Sequence, residues 1–524
     1  MYENIKTYWK EHPLLSCLGA IFSALPSVLF FATLSLTATR LYYTEKYLPY
    51  LLGVWFLLPL IFWVVNFVFV RKKALGIAAF FIGIAFSCGE FVFLAYSLSK
   101  LTYFFMAGTP FFLVVAMIGF LVLFLKSGSF RPIVKRLVCA LLAVVFALIS
   151  VFGLFHLLPV YFNSDAVVFA VEDEYQIGWS TSTTTVGYVV IGDNVYTDSV
   201  AGEMRVSKIH KVSVDRAVLE QEKEYTICAK GIFNKRAYLT VESAKISRSY
   251  PFRPIDATDG VQIYDVSDNH LLTAGAVKAG SYWGDDLDLL IANGDLINDV
   301  SAEWQITNAY RLMSAISQSS RPVIVTRGNH EAVGTRLTEL PNWFGSRDGT
   351  FYYTVRFDDI LFIVLDIAND MDDTASTISA TANYNEYREK EVEWLTALKE
   401  SEIAKNPQIR HVIGVCHIAF PLNLERYHGE TSARILSLTE SMGVELLLSG
   451  HSHRIAFYDA KDGENVASYP VVLGSVRNDN DLSNESVSAF RFTGTALEIG
   501  ENITLFFTDS KHEIKNKYTI QAKQ

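Results

Sequence analysis

Five strand-like apolar runs in the second half of the chain each stop at a short polar block rich in Asp, Asn and His. This recurrence constrains the fold more than any other feature. Val261–Val266 leads to Asp268-Asn269-His270, and Leu287–Ala292 leads to Gly294-Asp295. Pro322–Thr326 leads to Gly328-Asn329-His330-Glu331, and His411–Val415 to Cys416-His417. Val444–Ser449 leads to Gly450-His451-Ser452-His453. Apolar runs of this length that stop at glycine or polar residues read as buried strands. A further strand is read at Ile360–Leu365, and a helix at Tyr387–Glu400 with Val392, Leu395 and Leu398 at helical spacing. Alternating strands and helices predict an α/β layered architecture. In such folds the strand ends meet at one edge of a sheet, where ligands bind.

The chemistry of the blocks is consistent. His-x-His after a strand reads by itself equally well as a polar turn. Five of the eleven histidines fall in these blocks, however, beside Asp and Asn. Neutral imidazole is a common metal ligand, and a strand end holds it rigidly. Mixed oxygen and nitrogen donors without thiolate disfavour a structural zinc site and fit two ions such as Mn, Fe or Zn. An Asp at a strand end can bridge such a pair, which clamps a phosphoryl group and supplies hydroxide at neutral pH.

The N-terminal part has a different composition. Residues 1–160 hold 12 Lys and Arg but 4 Asp and Glu, whereas the remainder holds 33 and 51. The acidic part argues against nucleic acid as a partner, because phosphate backbones require clustered Lys and Arg. Five apolar stretches lie at 14–38, 47–70, 74–99, 102–125 and 137–160. Each reaches the ~20 residues that cross a bilayer core, so residues 1–160 are expected to form a helical membrane domain of five transmembrane helices. Nine Lys and Arg in the tail and the second and fourth loops, against Arg40, Lys46 and Lys100 opposite, predict a cytoplasmic N-terminus and an extracellular remainder. Glu90 lies inside the third stretch without a partner charge, thin support for a separate membrane activity. Cys17, Cys88, Cys139, Cys228 and Cys416 show no metal-type spacing and imply no disulfide framework.

Residues 161–255 carry short alternating runs, among them Ala166–Ala170, Tyr175–Trp179, Val186–Ile191, Lys208–Val214 and Glu224–Ala229, separated by Gly, Asn, Asp and Ser. Such spacing predicts a small β-sandwich. The expected organisation is thus a membrane domain at 1–160, a sandwich at 161–255 and an α/β domain at 256–524.

The order Asp-x-His, Gly-Asp, Gly-Asn-His-Glu, His, Gly-His-x-His resembles the calcineurin-like metallophosphoesterase superfamily over roughly residues 258–510. The sandwich followed by this domain also resembles the fibronectin-type and catalytic domains of purple acid phosphatases. The resemblance implies a four-layer α/β/β/α sandwich. It implies Asp268, His270 and His453 on a first metal, Asn329, His417 and His451 on a second, and Asp295 bridging both. His330 would contact the phosphate and assist the leaving group, with Glu331 orienting it or standing behind the ligands. Two departures from purple acid phosphatases are visible. Asn298 stands where those enzymes carry an iron-binding tyrosine, and His270 where they lack a histidine. Both speak against an iron–tyrosinate centre. Asp299 reads as a turn residue or a support behind the ligands, and Arg426 and His428 as a loop able to meet substrate.

These readings lead to a membrane-anchored phosphoesterase with two metal ions, hydrolysing phosphate mono- or diesters outside the cytoplasm, with the lipid bilayer as its other partner. The alternative is a non-enzymatic sensor or scaffold with a phosphoesterase fold, but no expected ligand is missing.

Overall fold

The computed structural model describes residues 160–521, apart from 237–238, 258–259 and 477–491. The five apolar stretches, Glu90 and the loop charges between them lie outside the described residues. Pro159–Gln524 form one compact unit.

The unit begins with β1 (Val167–Val171), β2 (Glu174–Ile191), β3 (Asn194–Thr197), β4 (Ser199–Val200), β5 (Glu203–Met204) and β6 (Val206–Asp215). The short helix α1 (Arg216–Glu222) leads into β7 (Glu224–Arg236) and β8 (Leu239–Pro251). Next come β9 (Val261–Val266), α2 (Thr273–Gly280), β10 (Leu289–Asn293), α3 (Glu303–Ser317) and β11 (Pro322–Thr326). Then follow β12 (Tyr353–Phe357), β13 (Ile360–Val364), α4 (Tyr384–Glu400), β14 (His411–Val415), α5 (Gly429–Ser441) and β15 (Leu446–Ser449). The described chain closes with β16 (Ile455–Tyr458), β17 (Val471–Gly474), β18 (Thr493–Ile499), β19 (Ile503–Asp509) and β20 (Ile514–Ile520).

Two sheets face each other. The larger has the order β20-β19-β18-β9-β10-β11-β1-β2-β7-β8, with β3 and β6 also pairing with β2. The smaller has the order β12-β13-β14-β15-β17-β16. Strands β9, β10, β11 and β1 run parallel, as do β13, β14, β15 and β17. Alternation along β13 explains the layering. Ile360, Phe362 and Val364 join the core between the sheets, whereas Leu361 and Ile363 face a second core with Val392, Leu395 and Leu398 of α4 and Ile435 of α5. Helices α2 and α3 pack on the outer side of the larger sheet. Buried Ile306, Ala309, Tyr310, Met313 and Ile316 give α3 its inward stripe. The arrangement is therefore α/β/β/α in four layers.

The expected fold class needs correction in two respects. The described residues are richer in strand than in helix, and no helix among them is long and apolar enough to cross a membrane. Nor do the strands of 161–255 form a separate sandwich. β1 pairs in parallel with β11, Val168 opposite Pro322 and Phe169 opposite Val323, and so extends the larger sheet. The five residues of β1 are all buried, the pattern of a central strand covered on both faces. Ile177, Trp179 and Tyr225 share one core with Leu289, Ile291 and Val323. Periodicity identifies a strand but not the sheet it joins. The runs Tyr175–Trp179 and Val186–Ile191 are two ends of the single strand β2, whose pairing with β6 is irregular between Ser180 and Thr185.

Candidate metal centre

Every block read from the sequence sits at the C-terminal end of a parallel strand. Asp268 and His270 follow β9, Asp295 follows β10, and Asn329, His330 and Glu331 follow β11. His417 follows β14, and His451 and His453 follow β15, in the facing sheet. Asp268, His270, Asp295, His451 and His453 all have positive φ, between 42° and 67°. Non-glycine residues adopt this conformation at a cost, and such residues concentrate at functional sites. Gly294 (φ 76°) precedes Asp295, and a Cβ on it would lie 2.6 Å from His417 Nδ1. Glycine at this position lets two strand ends from different sheets meet.

Two groups of side chains converge and share one member. Asp268, His270, Asp295 and His453 form the first group; Asp295, His417 and His451 form the second. Asp295 Oδ2 is the meeting point. It lies 3.3 Å from His417 Nε2, 3.6 Å from His270 Nε2 and 3.9 Å from His330 Nε2. In the first group, His270 Nε2 is 3.2 Å from His453 Nε2, which is 3.6 Å from Asp268 Oδ1. Asn329 joins the second group, its Oδ1 2.9 Å from His451 Nδ1.

His417 provides a test of whether a cation belongs here. Its Nδ1 donates to the Asn293 carbonyl at 2.6 Å. That bond leaves Nε2 as the nitrogen aimed at the site, and Nε2 is buried without a hydrogen-bond partner while facing two carboxylates. Buried polar atoms in native proteins are otherwise paired. Burial alone would push the His417 imidazole down, yet the charges of Asp295 and Asp268 raise it to about 10. Burial would raise Asp295, but His417 and His330 hold it below the usual carboxylate range. Asp268 is raised by burial, against the pull of His417. Burial and His417 push His451 down to about 4. The site therefore demands positive charge, and its nitrogen and oxygen donors suit divalent metal ions.

The remaining residues surround this centre. His330 stands at the mouth, its side chain 38% exposed, with Nδ1 donating to the Asn298 carbonyl at 2.7 Å. Glu331 is fully buried and does not approach the metal groups as a ligand; it accepts backbone N–H groups of the Asp295 turn. Asp299 also stays outside both groups, its backbone N–H 3.4 Å from Gln305 Oε1. His428 Nε2 donates to the Asn369 carbonyl at 2.7 Å, and Arg426 lies 3.9 Å from Asp370.

Three contributors were not read from the sequence. Asp370 Oδ2 faces His451 Nε2 at 3.7 Å, Arg327 pairs with Asp366 at 2.7 Å behind Asn329, and the Asn298 carbonyl orients His330. Asp370 and Asp366 lie in a polar loop with no motif. A carbonyl has no sequence signature at all. The charged Arg327 directly before Gly328 was the one visible signal.

Residues 268–454 match the family model of the calcineurin-like phosphoesterases. No curated protein matches the chain significantly. Among solved structures, the chain is similar to a purple acid phosphatase from yellow lupin (Lupinus luteus) seeds. The identity is 13% and the TM-score 0.44, over 68% of this chain and 74% of that one. It is also similar to PhoD, at 11% identity and a TM-score of 0.39, over 69% and 92% of the two chains. A phosphopantetheinyl hydrolase from Mycobacterium tuberculosis shares 14% identity and a TM-score of 0.23 over 41% and 89%.

Proposed function

We propose, for this metal-dependent phosphoric ester hydrolase with its calcineurin-like phosphoesterase domain at residues 268–454, a centre of two metal ions that share Asp295 and act on phosphate mono- or diesters. The observation that carries this reading is the single carboxylate oxygen, Asp295 Oδ2, common to both side-chain groups. Asp268, His270 and His453 would hold the first ion, and Asn329, His417 and His451 the second. Bound there, a Mn, Fe or Zn pair lowers the pKa of coordinated water and neutralises phosphoryl charge.

The chain's own groups supply the rest. His417 donates Nδ1–H to Asn293 and so keeps Nε2 directed inward. His330 donates Nδ1–H to Asn298, which leaves Nε2 at the mouth; in the doubly protonated ring, Nε2–H would pass its proton to the departing oxygen and leave the neutral ring behind. The hydropathy and loop charges of residues 1–160 support attachment to a membrane with the hydrolase outside the cytoplasm.

The purified full chain tests the reading directly. Metal analysis should return two ions per chain, and activity on mono- and diester substrates should return with added Mn after chelation. Asp295→Asn should lose both ions and hydrolysis together. Retention of one tight ion by that variant would reject the shared bridge. A reporter fused after Gln524 should be extracytoplasmic, and a cytoplasmic signal would reject the location.

A further inference from the structure

Behind the second metal position lies a buried ion pair that joins the two sheets. Arg327 ends the β11 side and precedes Gly328-Asn329; Asp366 follows β13. Both are buried, and Arg327 Nη2 lies 2.7 Å from Asp366 Oδ2. The guanidinium is walled by the rings of Tyr387 at 4.8 Å, Phe351 at 5.1 Å and Tyr384 at 5.8 Å. Asp366 is fixed in turn: Tyr387 Oη donates to Oδ2 at 2.7 Å, and its backbone N–H donates to Glu391 at 2.8 Å.

Chain leaves this pair in two directions, and both lead to the same place. Two residues after Arg327 comes Asn329. On the other side Asp366 Oδ1 accepts Ala368 N–H at 2.8 Å, a local turn that delivers Asn369 and Asp370. Asn369 Nδ2 donates to the Asn329 carbonyl at 3.5 Å, and Asp370 faces His451 Nε2 at 3.7 Å. Asn329 and His451 belong to the second metal position. The first position hangs on the turns after β9, β10 and β15, and Asp268 is held by Ser267 Oγ and His451 N–H.

We propose that the Arg327–Asp366 pair is a positioning device for the second metal position, acting through Asn329 on one side and through Asp370 and His451 on the other. The inference rests on the dinuclear reading above. A carboxylate beside a ligating imidazole fixes the ring and raises its basicity, and loss of such a partner costs about 10–100-fold in metal affinity. The Tyr387 ring over the guanidinium and the Tyr387 hydroxyl bonded to Asp366 hold the two charges in place.

Calorimetric titration of the metal-free full chain with Mn(II) tests it. The wild type should show two binding events, and the manganese-loaded protein should give the electron paramagnetic resonance spectrum of a coupled pair. Arg327→Met with Asp366→Leu removes both charges, so no lone charge is left buried. Asp370→Asn leaves the pair intact and alters only its far end. Each should keep the first event and weaken the second about 10–100-fold, with the spectrum of isolated Mn(II) at limiting metal. An unchanged second event in either variant overturns the proposal. So does equal weakening of both events with a lowered melting temperature, which marks a general structural role. A wild type that binds only one ion rejects the dinuclear reading itself.

Discussion

Glu331 lies beneath Asp295 and holds the turn that carries it. Glu331 Oε2 accepts the Asp295 N–H at 2.7 Å and the Gly328 N–H at 3.0 Å. Oε1 accepts Leu296 N–H at 2.8 Å and Ile297 N–H at 3.1 Å. One carboxylate thus ties the β10 turn to the β11 turn. Burial, and then the Asp295 charge, push Glu331 up to about 7, against the downward pull of these donors.

Replacing Glu331 by Gln puts an amide NH2 against at least one backbone N–H. A buried donor left unsatisfied costs about 1–3 kcal/mol. Glu331→Gln should therefore lower the unfolding free energy from urea titration by that amount and weaken metal binding, because Asp295 shifts with its turn. Unchanged stability and unchanged metal content would show that the four hydrogen bonds carry no weight.

Gly328 is hemmed in by the residue it helps to place. A Cβ there would sit 2.2 Å from Asp295 Oδ1 and 2.4 Å from Asp295 N. The nitrogen is backbone and cannot swing away. Gly328→Ala should displace Asp295 from Oδ2-centred contact with His417 and reduce metal content below half of the wild type, even where far-ultraviolet circular dichroism stays native. A crystal structure of the variant with Asp295 in its original place would refute this.

The candidate blocks were legible because each stands at a strand end, where an apolar run gives way to polar residues, with a glycine directly before Asp295, Asn329 and His451. Asp268, Asp295, His417 and His451 all fit that pattern. Helix α4 was legible from Val392, Leu395 and Leu398. The partner of β1 was not, since Val167–Val171 reads the same in a sandwich or in the middle of a mixed sheet. The polar stretch Ser180–Thr184 looked like a break between strands, yet it is the irregular middle of β2. Arg327 and Asp366 stand 39 residues apart in the chain, and only the packing of one sheet on the other brings them together.

His210 in β6 gives the stability a distinct pH dependence. It is fully buried, stacked on Trp179 with ring centroids 5.3 Å apart, and its Nε2 lies 2.6 Å from Thr185 Oγ1. Burial pushes its imidazole from 6.5 down to about 3. Between these values the unfolded chain binds a proton that the folded chain does not, so stability falls as pH drops below about 6.5. Buried carboxyls such as Glu391, raised to about 8 by burial, act in the opposite sense. The difference between the wild type and His210→Gln isolates the histidine. The unfolding free energy from urea titration should fall less in the variant between pH 7 and pH 5, by an amount on the order of 1–2 kcal/mol. Parallel curves would mean that His210 charges in the folded protein.

His330 separates binding from chemistry. Its backbone N–H donates to Asp295 Oδ1 at 3.0 Å, and its ring packs edge-on to His270 with centroids 4.5 Å apart. Removing the side chain keeps the backbone bond to Asp295. His330→Ala should therefore hold the same metal content and melting temperature as the wild type. On the proposed reading the ring delivers a proton from Nε2 in its doubly protonated form, Nδ1–H being committed to the Asn298 carbonyl. Loss of one positioned acid typically slows turnover about 10²–10⁴-fold. An alkoxide leaving group needs that proton and should show the full loss. An activated aryl phosphate leaves without it and should be slowed least. Equal slowing of both substrates, measured as kcat at saturating substrate, would assign His330 to phosphate binding instead of proton transfer.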